Sequence, residues 1–150
     1  MKTSIIAKLA SSKYIFLLMI CLLSGCGGDD PITEIGDPEL VAVAFFDALY
    51  NQRDVEKAAS VCSPQMARIL LHYHLPNAIA RNVFNMSFDH VNIKPDDSGV
   101  KVREQFKNKA IVILYFDGTY HGEKMKDVKR VSMIQLDGKW VMDKLLKDPF

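Results

Sequence analysis

Four histidines and three cysteines are the side chains of this 150-residue chain best suited to acid–base, nucleophilic or metal chemistry. His72 and His74 stand two apart, a chelating spacing on a strand. On a helix, at about 3.6 residues per turn, the same spacing sends them to opposite sides. The sequence offers no His-Glu-x-x-His and no cysteine-rich cluster to complete a ligand set, so no metal is expected. It also has no GxSxG, no glycine-rich phosphate loop and no paired-carboxylate motif, and no cofactor is expected. Cys62 falls at helical spacing with Val55, Ala58 and Ala59 and has no neighbouring His or basic residue. That environment predicts a small buried apolar group rather than a reactive thiol. Cys26 is different, because it follows small Ser24 and Gly25 directly behind an apolar run.

Residues 1–25 contain Lys2, Lys8 and Lys13 and no acid, whereas the rest of the chain holds all 18 Asp and Glu. The run from Tyr14 to Leu23 is uncharged and ten residues long, about half of what a bilayer span requires. Basic residues, a short apolar core and small residues in that order predict a signal peptide. Leu23-Ser24-Gly25-Cys26 resembles the lipobox of bacterial lipoproteins. The resemblance implies a thioether-linked diacylglycerol on Cys26, cleavage before it and acylation of the new amino terminus. Several acyl chains, each methylene adding about 0.8 kcal/mol, would make that attachment effectively permanent. Cys21 leaves with the leader. Gly27, rather than Asp, follows the lipidated cysteine, which in enterobacterial lipoproteins implies the periplasmic face of the outer membrane. Gly27 to Gly36 carries turn residues and acids without a hydrophobic period, and reads as a tether with a typical reach of about 17 Å. The expected organisation is therefore a leader over 1–25, a lipidated tether over 26–36, and one domain over 37–150.

Within that domain the apolar spacing is helical first and alternating second. Asp37-Pro38, Asp54 and Ser63-Pro64 are helix starts, since Asp or Ser can cap free amides and Pro suits the first turn. Val41, Ala44, Phe45, Ala48 and Leu49 form the first apolar face, and Met66, Ile69, Leu70 and Tyr73 a later one. Leu75-Pro76 stops the third helix, and residues 77–84 supply another short turn or two. From Ser87 the period becomes two, predicting antiparallel strands near 87–94, 100–106, 109–116, 126–136 and 139–146. Ser98-Gly99, Asn108 and Asp137-Gly138 are tight-turn candidates, and a longer loop is expected from Asp117 to Gly122. Helices followed by strands predict an α+β fold.

The run from Leu40 to Ala59 and the ending from Val131 to Asp143 resemble the opening helix pair and closing hairpin of the nuclear-transport-factor-2-like (SnoaL-like) superfamily. Within it the chain looks most like small bacterial lipoproteins with a lumazine-binding-like domain. The resemblance implies N-terminal helices packed on a curved antiparallel sheet, a cone with a pocket between them, and no particular reaction. Enzymes of the superfamily, such as ketosteroid isomerase and scytalone dehydratase, place Asp, His or Tyr inside the cone. The inward candidates here are Asp47 and Tyr50 on the first helix, His72 and His74 on the third, His90 on the first strand and His121 in the loop. Asp143 alternates with Trp140 and Met142 and is expected on the surface.

Removal of the leader leaves 16 basic against 18 acidic side chains, which excludes the strongly basic character of a dedicated nucleic-acid binder. The charge is divided: residues 26–97 carry a net −6 and residues 98–150 a net +4. Lysines can guard sheet edges, or they can form a cationic face for an acidic partner, anionic lipid or the cell wall. The leading expectation is a membrane-anchored, non-enzymatic binding module of the cell envelope. Its expected partners are the membrane through Cys26 and an envelope protein, the cell wall or a small apolar ligand at the domain. A homodimer through the sheet is a further option. The alternative is an isomerase or dehydratase working through His90 with Asp47 or Tyr50.

Overall fold

The computed structural model describes residues 36–96 and 108–147. The expected leader, Cys26, nearly all of the tether, the Ser98-Gly99 turn and the strand expected at 100–106 lie outside the described residues.

The helix starts read from sequence are the ones that form. Helix α1 (Pro38–Tyr50) is capped by the Asp37 carboxylate, which accepts from the Glu39 amide at 3.2 Å. Helix α2 (Val55–Ser60) is capped by Asp54, accepting from the Lys57 amide at 2.8 Å. Helix α3 (Pro64–Tyr73) is capped by Ser63 and stops ahead of Leu75-Pro76, where α4 (Pro76–Asn82) begins. Helix α1 is buried over most of its circumference, with Val41, Ala42, Phe45, Phe46, Ala48 and Leu49 fully enclosed.

Strands β1 (His90–Pro95), β2 (Lys109–Tyr120), β3 (Glu123–Leu136) and β4 (Lys139–Leu145) form an open antiparallel sheet in sequence order. The fold is thus α+β. Two differences from the sequence expectation stand out. The first strand starts at His90 rather than Ser87. The longer loop expected over 117–122 is absent, because β2 and β3 stay paired as far as Tyr120 and Glu123. Only His121 and Gly122 turn the chain, at φ of 51° and 81°. Asp137 and Gly138, at 49° and 80°, make the same left-handed pair between β3 and β4. Two positive φ values match the twist of a tight hairpin, and a histidine in the first of them hides the turn from a composition-based reading.

One face of the sheet meets α1. Val91 and Ile93 of β1, Ala110, Val112, Leu114 and Phe116 of β2, Val131 and Met133 of β3 and Met142 of β4 join the helical residues in one core. Both outer strands are occupied on their free side at one residue. The Asn51 side chain donates to the Val91 carbonyl at 2.9 Å and accepts from its amide at 3.0 Å, standing in for a strand. On β4, the Met142 amide donates to Val61 O and the Ser63 amide donates to Met142 O, each at 2.8 Å. Asp143 has no residue opposite it, since Met133 pairs with Met142 and Ser132 with Lys144. This bulge leaves Asp143 half-buried rather than on the open surface.

Candidate functional site

Two of the candidate acid and base residues, Asp47 and Tyr50, lie at the end of α1, and both are already engaged. Asp47 accepts from the Asn51 amide nitrogen and from the Gln52 amide nitrogen, both at 2.7 Å. Its carboxylate therefore orients the side chain that occupies the free side of β1. Tyr50 is 1% exposed and donates its hydroxyl to the Met86 carbonyl at 2.7 Å. Burial drives the phenol far above its ordinary range; the Asp127 charge adds to this, and the Arg53 charge opposes it.

His90 is exposed, on the face of β1 opposite Val91 and Ile93. Burial of those two apolar residues fixes the register and turns His90 away from Tyr50. The structure brings Asp47 and Tyr50 to one helix end and leaves His90 on the other side of the sheet. His72 and His74 line separate open grooves, of about 540 Å³ with Arg68 and Ile69 and about 460 Å³ with Arg53 and Leu71. His121 sits exposed in the β2–β3 turn. Among the described residues no group of three or more His, Cys, Asp or Glu is placed to hold a metal ion.

Among the described residues, aromatic side chains pack into the space between α1 and the sheet. Phe46 stacks against Tyr50 with centroids 6.2 Å apart and meets Phe45, Phe84 and Phe116 edge to face at 4.7, 5.3 and 5.0 Å. Phe88 adds a stacked contact to Phe116 at 6.1 Å. Protein-family models, curated proteins and solved structures were all compared with the chain, and none matches.

Asp127 was not among the residues singled out from sequence, and Lys129 entered only as part of the positive charge of the strand half. They alternate with Val131 and Met133 on the inner face of β3 and pair at 3.0 Å, with side chains only 29% and 14% exposed. Their odd-numbered phase with Met125, Val131 and Met133 was the available signal. The pairing of these two charges at the rim of the core lets β3 continue past the apolar interior.

Cys62 is 8% exposed, and its thiol donates to the Ala58 carbonyl at 3.3 Å. Burial pushes it well above the usual thiol range. It is a buried, protonated thiol as expected, but it lies past the end of α2, in a β-bridge to Met142, rather than on a helix.

Tyr50 and Cys62 together set an alkaline limit. Both stay neutral in the fold but ionise in the unfolded chain, near about pH 10 and about pH 8.5. Their contribution is intact below about pH 8.5 and is lost above it, by up to about 1.4 kcal/mol per group per pH unit. Urea midpoints should fall from about pH 8.5 to about pH 11, and the slope should flatten in a Tyr50→Phe/Cys62→Ala variant compared with its own neutral-pH value. An equally steep decline in that variant would assign the effect to other groups.

Proposed function

We propose that the chain is a lipid-anchored module of the bacterial cell envelope, held at the periplasmic face of the outer membrane, that works by binding rather than by catalysis. The proposed scaffold is the cone-shaped plan of the nuclear-transport-factor-2-like superfamily. The α+β order, a long first helix against an open antiparallel sheet and a closing hairpin at Asp137-Gly138 support it. The address rests on Leu23-Ser24-Gly25-Cys26 behind a ten-residue apolar run.

The observation that carries the choice of binding over catalysis is the aromatic filling between α1 and the sheet. An acid–base site needs converging polar groups around a space that admits substrate. Here Phe45, Phe46, Phe84, Phe88 and Phe116 stand against one another around a Tyr50 whose hydroxyl is spent on a backbone carbonyl. Binding then falls to the outer surfaces, above all the sheet face turned away from α1.

The anchor is tested by Cys26→Ser in a bacterial host fed a fatty-acid probe. Wild-type protein is expected to label and to fractionate with the outer membrane, and the variant to lose the label completely. A variant that still labels would refute lipidation at Cys26.

A further inference from the structure

The sheet face turned away from α1 carries an orderly pattern of charge. Lys94, Tyr115 and Val128 lie side by side across β1, β2 and β3. Tyr115 is 47% and Val128 42% exposed, large fractions for apolar side chains in mid-strand. In the neighbouring rows, about 7 Å away along the strands, Arg130 stands on one side and Lys126 on the other, with Lys124 one row beyond. Two acids share these rows among the described residues: Asp117, paired with Lys126 at 3.2 Å with both well exposed, and Asp96, whose amide donates to the Ile113 carbonyl in the row of Arg130. The exposed Tyr–Val pair thus lies among four basic side chains, Lys94, Lys124, Lys126 and Arg130, against two acids. Asp54 and Glu56 lie exposed on the helical side instead.

We propose that this face docks onto an anionic lipid bilayer surface. The step rests on the lipoprotein reading, because an anchor at Cys26 is what keeps the domain beside lipid. Ten residues separate Cys26 from Asp37 and span at most about 35 Å, so the tether permits this face to reach the headgroups. Lys94, Lys124, Lys126 and Arg130 supply the charge complement, and Tyr115 has the apolar body and polar tip that suit the headgroup layer. A second copy fits less well, since symmetric pairing of this face would set its cations against each other. Each basic residue near an anionic surface shifts the equilibrium about fivefold.

The test uses the mature protein purified from bacterial membranes and reconstituted into vesicles of phosphatidylcholine alone or of phosphatidylcholine with phosphatidylglycerol. Mass spectrometry first reads the acyl group on Cys26. Amine acylation rates are then measured at Lys94, Lys124 and Lys126, with Lys57 on α2 as the internal reference. The expected result is a slowing of about tenfold or more on the anionic vesicles alone, reversed by salt. Lys126→Glu with Arg130→Glu should abolish the slowing while circular dichroism and melting stay unchanged. Equal rates on the two vesicle types overturn the proposal. So does protection that follows protein density rather than lipid charge, which marks a second copy. A chain without acyl on Cys26 refutes the anchor separately; docking is then read from flotation of that chain with the same vesicles, and no preference for the anionic ones overturns it.

Discussion

Replacing Phe46 with alanine is expected to lower the free energy of unfolding by about 3–5 kcal/mol. The residue is completely buried and touches four aromatic rings at once, on α1, on β2 and in the segment after α4. Truncation removes the transfer contribution of the ring and leaves a void that α1 cannot collapse into, because Phe45 and Leu49 on the same helix are equally enclosed. Each lost edge-to-face contact adds about 0.5–1.5 kcal/mol to the damage. A domain of this size has about 5–15 kcal/mol in total, so the variant should sit close to its folding limit. Urea denaturation read by far-ultraviolet circular dichroism measures it. A loss under about 1 kcal/mol would mean that the aromatic cluster is loosely packed, and would reopen the interior as a ligand space.

Gly118→Ala is the second large effect, and its cause is space rather than conformation. A β-carbon at Gly118 would overlap the His90 carbonyl oxygen and approach Phe88 Cδ1 and Val91 Cα to 2.9 Å each. Two of these three are backbone of the paired strand β1, across from Gly118 in the register. Neither a rotamer change nor a small shift of one side chain relieves the overlap, so β1 must move away from β2. The expected loss lies at the upper end of about 1–3 kcal/mol. Its location is diagnostic: hydrogen exchange should accelerate at the β1 amides bonded to β2 while the β3–β4 hairpin stays protected. Uniform loss of protection across the sheet would contradict a local clash.

These two residues also mark where the sequence was readable and where it was not. Helix starts at Asp37, Asp54 and Ser63 depend on bonds to amides two or three residues away, and short-range chemistry of that kind is written into the local sequence. Strand alternation placed Trp140 and Met142 on the inner face of β4, but the bulge that half-buries Asp143 depends on the pairing with β3 and could not be read locally. Asn51 could not be read, because its partner Val91 lies 40 residues on, and only the docking of α1 against β1 makes its amide a substitute strand. Asp47 followed: beside Tyr50 it has the composition of an acid–base pair, yet its hydrogen bonds make it the holder of Asn51. Gly118 likewise sat inside an expected loop, although it is a contact point between strands. His90 was placed by a resemblance, whereas the burial of Val91 and Ile93 decides which way it faces.

The Asn51 amide and the Val61–Ser63 segment give the sheet a dependence on order of assembly. Both come from the first half of the domain, and both occupy hydrogen-bonding positions that the later strands would otherwise present to other molecules. Until the helical half is in place, β1 and β4 are open templates for another copy's strands. Substitutions that loosen α1 or α2 should therefore reveal themselves first as self-adhesion of a chain that still contains its hairpins, and only later as loss of strand content. In this protein the helices act as chaperones for their own sheet.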